Sequence, residues 1–307
     1  MNNLSSAIRS LYRDVIIKED EPLSGHTSMK VGGKADYYIR PRSEPSLIGV
    51  IGVLRELRIP YYLLGGGTNV VVRDGGFRGA VVAIGKGFDS VDIDEGRGIV
   101  TAGAGAALSA VAKKAAKAGL SGLEPLSGIP GTVGGALYMN AGSYGSDMSR
   151  VVTQAKVYDT EADRLKTMSM YEMRLGYRSS LFQSVGSYVI ISVAFRLKKR
   201  DTATIGSAMR LYSRQRRSLQ PMDMPSAGSF FKRPAGAYAG ELIESAGLKG
   251  LGVGGAQVSE KHAGFIVNTG GATASDVIGL MAKVQEAVRA GSGYGLVPEP
   301  RIIGEDI

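Results

Sequence analysis

Residues 127–142 read SGIPGTVGGALYMNAG, and this stretch carries five glycines among apolar residues. Glycine has no Cβ atom, so such a segment lets a flat or charged ligand come close to the backbone. We interpret it as a long glycine loop. A second stretch, LGGGTN at residues 64–69, lies between two short apolar runs. Two phosphate-cradling loops in one lobe predict a cofactor that contains a pyrophosphate group.

The loop at residues 64–69 is, by itself, equally typical of a tight hairpin turn. It is not a Rossmann loop, because no helix follows it immediately and no acidic residue stands at the end of the next strand. The prediction of a dinucleotide therefore depends on the two loops together.

Composition excludes several classes of site. The chain has 307 residues, enough for about two domains with cores of their own. It contains no cysteine and two histidines, which excludes disulfides, thiolate metal ligands and a cysteine nucleophile. We also expect no zinc site or other metal site, because too few ligands of the usual kinds are present.

The charge balance suits anionic partners. Lys and Arg number 37 against 28 Asp and Glu, a net charge of +9. A nucleic acid, an acidic membrane, a phosphorylated small molecule or simply a basic surface would each account for this. No basic patch is interleaved with aromatic residues, so we expect no nucleic-acid partner. The N-terminal residues lack the apolar core of a signal peptide and no apolar run approaches ~18 residues, so we expect a cytoplasmic protein without a membrane partner.

Apolar spacing and turn residues predict the main elements. A helix is expected over 43–58 with Ser43 as N-cap, followed by strands over 61–64 and 70–72. A smaller α+β unit is expected to begin after the proline-bearing loop at 220–225. Further strands are predicted over 80–84, 91–93, 99–102, 188–195 and 264–268, and further helices over 106–118, 202–217 and 273–290. In the last of these helices, Thr273 and Asp276 have the spacing of a capping box.

Six further blocks accompany the glycine loops. They are HTSMKVGGKAD (26–36), GYRSSLF (176–182), SAGSFFKRP (226–234), AGELIE (239–244), AQVSEKHAGFIVN (256–268) and VPEPRIIGE (297–305). Together with the loops, these blocks resemble the UDP-N-acetylenolpyruvoylglucosamine reductases of peptidoglycan synthesis. Only the first twenty or so residues lie outside the resemblance.

The resemblance implies an α+β protein in which a two-lobed FAD-binding fold of the vanillyl-alcohol-oxidase type precedes a smaller α+β substrate-binding domain. We expect an N-terminal extension at 1–25 and an FAD-binding domain at 26–200, with lobes at about 26–86 and 87–200. A substrate-binding domain is expected at 201–293 and a tail with a catalytic glutamate at 294–307. The chain enters the next strand soon after Phe182, so it is similar to the shorter subclass that lacks a substrate-capping insertion.

The cofactors implied are FAD, bound between the two lobes, and NADPH as co-substrate. Neither glycine loop contains histidine, so we expect FAD to be held without a covalent bond. The residues expected to line the cofactor are Gly65, Gly66, Gly67, Thr68, Asn69, Gly128, Ile129, Pro130, Gly131, Thr132, Gly134, Gly135, Ala136, Asn140 and Gly142.

Three residues match the catalytic positions of the family. Arg178 would bind and polarise the substrate carboxylate, and Ser229 would donate a proton, helped by the nearby Lys232. Glu299 would act near the developing enolate. Without the family context these would be a surface arginine, a capping serine and a solvated tail residue.

Tyr177, Lys232, Arg233, Gln257 and His262 are expected to contact substrate, although a lone histidine is more often structural. Three positions depart from the commoner family residues. Thr68 replaces serine, while Arg233 and Gly264 each stand where many members have asparagine. The partners implied are the UDP-sugar substrate and NADPH, with no obligate protein partner. A different FAD oxidoreductase of the same fold and a non-catalytic nucleotide-sugar-binding protein remain the alternatives.

Overall fold

The structure is a computed structural model that describes residues 3–307; residues 1 and 2 of the predicted N-terminal extension lie outside the described residues. The helices are α1 (Asn3–Leu11), α2 (Glu44–Glu56), α3 (Leu108–Lys117), α4 (Val133–Met139), α5 (Leu181–Ser184), α6 (Thr202–Leu219), α7 (Ala239–Ser245) and α8 (Ala274–Ser292). Short 3₁₀ turns lie at Leu23–His26, Glu124–Leu126 and Met148–Arg150.

The strands in the first half of the chain are β1 (Val15–Pro22), β2 (Lys34–Pro41), β3 (Tyr61–Leu64), β4 (Val70–Val72), β5 (Phe77–Ala83), β6 (Val91–Asp94), β7 (Ile99–Gly103), β8 (Leu120–Ser121), β9 (Gly142–Ser143) and β10 (Ser146–Asp147). Those in the second half are β11 (Val152–Asp159), β12 (Arg164–Ser169), β13 (Tyr188–Arg196), β14 (Lys198–Lys199), β15 (Ser226–Ser229), β16 (Gly252–Val253), β17 (Ala256–Val258), β18 (Phe265–Asn268) and β19 (Arg301–Ile303). This mixture confirms the predicted α+β class.

The chain forms two compact units. The first contains the described residues up to Lys18 together with Tyr37–Gly66 and Gly79–Arg214. The second contains Glu19–Asp36, Gly67–Arg78 and Gln215–Ile307. Both units are discontinuous along the chain, so they do not test the predicted functional boundaries near residues 25, 200 and 293. Those boundaries stay a prediction.

The first unit is organised around a five-stranded antiparallel sheet of order β12-β11-β13-β7-β6. Its central strand, β13, has a nearly continuous run of buried apolar residues, as a strand covered on both faces requires. In the same unit, β3 and β5 pair in parallel within a second sheet. The buried face of α3 packs into the same core through Leu108, Val111 and Ala115.

The structure confirms helix α2 and the predicted N-cap at Ser43. The Ser43 hydroxyl accepts a hydrogen bond from the Ser46 amide at 3.3 Å, and the Ser46 hydroxyl accepts one from the Ser43 amide at 3.1 Å. This reciprocal capping satisfies backbone donors that the helix start would otherwise leave unpaired. Leu47, Ile51 and Leu54 then lie on one face, fully buried. Local sequence therefore specifies both the start and the buried face of this helix.

The second unit has its own core, formed by the sheet β15-β18-β17-β16 and helix α8. As predicted, Thr273 and Asp276 cap α8 reciprocally, with each backbone amide bonded to the other side chain at 3.0 and 2.9 Å. The buried face of α8 includes Val277, Leu280 and Val284. Strand β19 pairs in parallel with β4, with Arg301 opposite Val70. The tail is thus attached to the strand that follows the first glycine loop.

The interpretation of residues 127–142 as one long loop is wrong for residues 133–139, which form α4. Glycine is a poor helix former, and α4 has two in its first turn. The helix forms because Thr132 caps it, accepting from the Gly135 amide at 3.4 Å, and because Val133, Ala136 and Leu137 are buried on one side.

The first 41 residues, for which no element was predicted, include α1, β1 and β2 in the structure. Leu4 and Ile8, four residues apart on α1, are buried in the core of the first unit. Strand β1 begins with alternating buried residues, Val15 and Ile17, and then continues as KEDEP, which carries no apolar alternation. Because these charged residues lack the alternation typical of a strand, the sequence pattern did not predict β1. Within residues 3–307, none of the helices has the length and apolar character needed to cross a bilayer.

Candidate active site

The two glycine stretches meet in the first unit. A Cβ atom placed on Gly66 would lie 2.9 Å from the Cα atom of Gly131, and one placed on Gly65 would lie 2.6 Å from the Thr132 hydroxyl oxygen. Real side chains do not tolerate such distances, so only glycine lets the two segments pack this closely. Gly65, Gly66 and Gly135 are nevertheless exposed to solvent. The first unit therefore presents a patch of bare backbone at this junction.

Such a patch fits a flat, charged cofactor because backbone amides can approach phosphate or a ring without intervening side chains. The remaining predicted cofactor residues of the second stretch differ in exposure. Pro130 is exposed, Ile129 packs against the first core, and Ala136 is buried. Asn140 is only 2% exposed, and its side chain bonds to protein backbone rather than facing solvent.

The later part of the first loop belongs to the second unit. Gly67 has a left-handed φ of +63°, and an added Cβ would clash with the carbonyl oxygen of His26, so glycine is required there. The Asn69 side-chain amide donates to the Glu299 carbonyl at 3.3 Å, and the Asn69 carbonyl accepts from the Arg301 amide at 3.0 Å. A predicted cofactor residue thus holds the segment that carries a predicted catalytic residue.

Arg178 lies in the first unit on a tight turn. Gly176 and Ser179 exchange backbone hydrogen bonds at 3.0 and 3.2 Å, and Arg178 between them has a left-handed φ of +50°. Its guanidinium donates to the Gly142 carbonyl at 3.1 Å, and the Tyr177 ring centroid lies 5.2 Å from Arg178 Cζ. Non-glycine residues uncommonly adopt this φ, and here the hydrogen bonds of the turn hold Arg178 in it.

Side chains that sequence reasoning missed hold this turn in place. The Ser180 hydroxyl donates to the Tyr138 carbonyl at 2.6 Å. The Gln183 amide donates to the same carbonyl at 2.8 Å and to the Arg178 carbonyl at 3.2 Å. Both residues lie in the GYRSSLF block or directly after it, but nothing in their types or spacing signalled an anchoring role.

Ser229 and Glu299 are brought together in the second unit. Ser229 ends β15 and is exposed, opposite Phe265 of β18. The Glu299 amide donates to the carbonyl of Phe230, the residue after Ser229, at 3.0 Å. The same two segments are also joined where the Lys232 amide donates to the Val297 carbonyl at 2.8 Å. Two of the three predicted catalytic residues therefore lie on neighbouring backbone segments.

His262 lies close to Ser229. Its Nδ1 accepts from the Gly264 amide at 3.0 Å, so the proton of the neutral ring resides on Nε2. Burial lowers the pKa of His262 below 6.5, which favours the neutral form at pH 7. A Cβ atom on Gly264 would lie 3.0 Å from the His262 ring and 3.5 Å from the Ser229 hydroxyl oxygen. A side chain at this position would therefore crowd the imidazole, and glycine avoids that contact.

The other predicted substrate residues lie in both units, Tyr177 in the first and Arg233 and Gln257 in the second. Tyr177 is 57% exposed. The Arg233 guanidinium lies 4.0 Å from the centre of the Tyr238 ring. The Gln257 side chain donates to the Gly250 carbonyl at 3.2 Å. Within residues 3–307, no cluster of three or more acidic or histidine side chains is placed to hold a metal ion.

Comparison with known proteins adds the family. Residues 35–167 match the family described as "FAD binding domain". Residues 220–303 match the family described as "UDP-N-acetylenolpyruvoylglucosamine reductase, C-terminal domain". The reductase of that name from Caldanaerobacter subterraneus subsp. tengcongensis is 44% identical over 302 residues, covering 98% of each chain. The one from Agathobacter rectalis is 45% identical over 297 residues and covers 94% of each. The chain belongs to the UDP-N-acetylenolpyruvoylglucosamine reductase family.

A solved member of the family has the same fold. The UDP-N-acetylenolpyruvylglucosamine reductase of Thermus caldophilus superposes with a TM-score of 0.80 at 34% identity, covering 94% of this chain and 99% of that one. Family membership and the FAD-domain match confirm the predicted resemblance, the FAD-binding fold and FAD as the cofactor. The roles assigned to individual residues, and the subclass without a capping insertion, stay predictions.

Proposed function

We propose that this chain catalyses the NADPH-dependent reduction of UDP-N-acetylenolpyruvoylglucosamine to UDP-N-acetylmuramate. The observation that carries the proposal is near-full-length similarity, at 44–45% identity, to curated reductases of that name. The pairing of the Ser229 and Glu299 segments supports it, because both residues match positions that the family reaction requires. We place the reaction in the cytoplasm, as sequence analysis predicts.

The reaction adds one hydride and one proton across a carbon–carbon double bond. FAD, when bound, supplies the two-electron carrier that links NADPH to the substrate. The exposed glycines at the junction of the two stretches, Gly65, Gly66 and Gly135, are the residues of the first unit best suited to hold it. All remaining steps of binding, orientation and proton delivery fall to the side chains of the protein.

Arg178 is assigned to the substrate carboxylate. When hydride reaches the terminal carbon of the enolpyruvyl group, negative charge develops on the neighbouring carbon and spreads into its carboxylate. A guanidinium holds a carboxylate with two parallel hydrogen bonds and keeps its charge at any working pH. The hydrogen bond from the guanidinium to the Gly142 carbonyl already restricts the Arg178 side chain, which reduces the freedom that it loses when the carboxylate binds.

Ser229 is assigned to the proton that ends the reaction, delivered to the carbon that bears the carboxylate. Its hydroxyl is exposed at the end of β15 and is therefore accessible to a ligand. A serine hydroxyl is a weak acid, so neighbouring positive charge must help it; Lys232 is three residues away and half-buried. Glu299 is assigned to the same developing charge, as a hydrogen-bond donor in its protonated form.

The decisive experiment combines the purified protein with NADPH and UDP-N-acetylenolpyruvoylglucosamine in heavy water. We expect substrate-dependent NADPH oxidation and a reduced product that carries deuterium from the solvent at the carbon bearing the carboxylate. Substrate binding without NADPH oxidation would favour a non-catalytic nucleotide-sugar-binding protein. Oxygen consumption with an alcohol or sugar, and none of this reduction, would favour a different FAD oxidoreductase.

A further inference from the structure

Asn140 has an unusual position directly after α4. Its φ and ψ are 42° and 55°, in the left-handed region, and only 2% of the residue is exposed. After glycine, asparagine is among the residues that tolerate this conformation best. The Asn140 amide donates to the Leu137 carbonyl at 3.0 Å, which ends the helix. Buried in this way, its side chain faces neighbouring protein segments.

Both ends of the side chain are paired. Nδ2 donates to the Gly176 carbonyl at 2.8 Å, and Oδ1 accepts from the Ser149 amide at 3.0 Å. The two partners come from segments 36 and 9 residues away in sequence. A buried amide with a donor and an acceptor both satisfied by backbone fixes the separation of those segments, because leaving either group unpaired costs about 1–3 kcal/mol.

The Gly176 carbonyl is part of the turn that carries Arg178. It also accepts from the Ser179 amide, so one oxygen both closes the turn and anchors it to Asn140. Two residues beyond Asn140, the Gly142 carbonyl accepts from the Arg178 guanidinium at 3.1 Å. One short stretch of chain therefore holds the turn backbone at one point and the Arg178 side chain at another.

We propose that Asn140 is a positioning residue for Arg178. Its amide fixes the turn so that the guanidinium is presented in one orientation to the substrate carboxylate. The inference rests on the proposed function of Arg178 and assigns to Asn140 a role different from the direct FAD contact expected from sequence. Asparagine is required because it combines a donor for Gly176, an acceptor for Ser149 and a backbone that accepts the left-handed conformation.

Two substitutions separate these properties. Asn140→Asp keeps the side-chain shape and the acceptor for the Ser149 amide but places an oxygen against the Gly176 carbonyl. Asn140→Gly keeps the left-handed backbone at no steric cost and removes both hydrogen bonds. Asn268→Asp is the matched control, because Asn268 is also buried, donates to the Met29 carbonyl at 3.1 Å and accepts from the Gly270 amide at 2.9 Å.

The kinetic test is a double-mutant cycle with Arg178→Lys. Misplacing a binding group by about 1 Å costs up to about 100-fold, so we expect Asn140→Asp to lower kcat/KM for the UDP-sugar by about 10- to 100-fold. In the Arg178→Lys background, Asn140→Asp should lower kcat/KM by less than about twofold further. Without the Arg178 guanidinium, its positioning by Asn140 no longer contributes. Asn268→Asp should combine additively with Arg178→Lys. Additive losses for Asn140→Asp would overturn the inference.

A second readout does not depend on activity. Hydrogen exchange at the Ser179 amide should quicken at least tenfold in Asn140→Gly and remain unchanged in Asn268→Asp, because only the former releases the turn. Unchanged exchange in Asn140→Gly would overturn the positioning role. If Arg178→Lys alone leaves kcat/KM unaltered while exchange quickens, the assignment of Arg178 fails and Asn140 is shown to order a turn without a part in catalysis.

Discussion

The backbone amide of Glu299 donates to the carbonyl of Phe230 at 3.0 Å. Because Phe230 directly follows Ser229, this single hydrogen bond sets two predicted catalytic residues on adjacent strands of backbone, although 70 residues separate them in the sequence. Asn69 adds a second attachment to the Glu299 carbonyl at 3.3 Å. The tail is consequently a structural part of the second unit, and its backbone at Glu299 lies beside the segment that carries Ser229.

The role of Ser229 is tested by Ser229→Ala. Reduction of bound FAD by NADPH should proceed at nearly the wild-type rate, because that step needs no hydroxyl from the protein. Transfer from the reduced enzyme to the UDP-sugar should slow by about 10²–10⁴-fold, the usual contribution of a general acid. Rapid-mixing spectroscopy resolves the two steps.

Ser229→Cys serves as the partner variant. A thiol, with an unperturbed pKa of about 8.5, is a stronger acid than a hydroxyl and should restore part of the lost rate. Wild-type transfer to substrate in Ser229→Ala would remove the serine from the mechanism. Slower reduction by NADPH in the same variant would instead show that Ser229 shapes the site as a whole.

Arg178→Lys keeps a positive charge but removes the planar fork that holds a carboxylate by two bonds. A charged hydrogen bond contributes about 1.5–3 kcal/mol, so we expect kcat/KM for the UDP-sugar to fall by about 10- to 100-fold. Arg174→Lys is the control, since Arg174 is exposed, also left-handed, and outside the turn. Equal effects of the two substitutions in steady-state kinetics would argue against a carboxylate clamp at Arg178.

The close packing of the two glycine stretches predicts that FAD affinity is sensitive to a methyl group added at Gly66. In Gly66→Ala the new methyl group would lie 2.9 Å from the Gly131 Cα atom, so the stretches must separate. Overpacking of this kind costs about 1–3 kcal/mol; where that cost falls on the FAD-bound form, FAD affinity should be lower by about 5- to 160-fold. Gly52→Ala, at an exposed site on α2 with nothing within 4 Å, should leave affinity unchanged. Titration of the apoprotein with FAD measures both; equal affinities would contradict the proposed cofactor contact.

FAD should be releasable without breaking a covalent bond. The usual attachment residues are histidine and cysteine; the chain has no cysteine, and neither glycine stretch contains histidine. After acid precipitation, all flavin absorbance should appear in the supernatant. A washed pellet that stays yellow would show covalent attachment, and peptide mapping would then identify the attachment residue.

Sequence predicted best those features that depend on a few consecutive residues. The caps of α2 and α8 follow from Ser43 with Ser46 and from Thr273 with Asp276, each pair three residues apart. Helix α4 escaped prediction because its stability comes from burial of Val133 and Leu137, which outweighs the poor helix propensity of its glycines.

In the site, too, residue types could be predicted from the sequence, whereas contacts between distant segments could not. The types of Arg178, Ser229 and Glu299 were recognisable because each lies in a block typical of the family. The contacts of Asn140 were not, since a left-handed backbone and a hydrogen bond to residue 176 arise only when distant segments are packed together. Resemblance identified residue types, whereas the anchoring of Arg178 required the fold.

The last prediction concerns Asp74, another residue that sequence reasoning missed. Its carboxylate accepts hydrogen bonds from the Ala274 amide at 2.8 Å, the Ser275 amide at 2.8 Å and the Ser275 hydroxyl at 2.6 Å, at the start of α8. The two amides are among the backbone donors that the first turn of a helix leaves unpaired. Asp74→Asn keeps an acceptor oxygen but removes the negative charge that favours a helix N-terminus, a contribution of about 0.3–1 kcal/mol, so it should lower the free energy of unfolding by about that amount at pH 7. Ser275→Ala, which removes one of the three bonds, should cost less.

The pH dependence of this contribution has a definite sign. Burial alone would raise the pKa of Asp74, but the hydrogen bonds from Ser275 and Ala274 outweigh it and hold the pKa below its ordinary value of 3.8. A folded-state pKa below the unfolded value means that the unfolded chain binds more protons between the two values, so stability rises with pH there. The stabilisation is therefore complete above about pH 4 and is lost as the pH falls through the folded-state pKa.

Urea unfolding from pH 7 downwards measures this. The free energies of unfolding of wild type and Asp74→Asn should differ by a constant amount at higher pH, and this difference should shrink below pH 3.8. Asp276 is present in both proteins, so its contribution to the pH dependence cancels to first order in the difference between their free energies of unfolding. A difference that stays constant to the lowest accessible pH, or grows as the pH falls, would show that the charge of Asp74 does not stabilise α8.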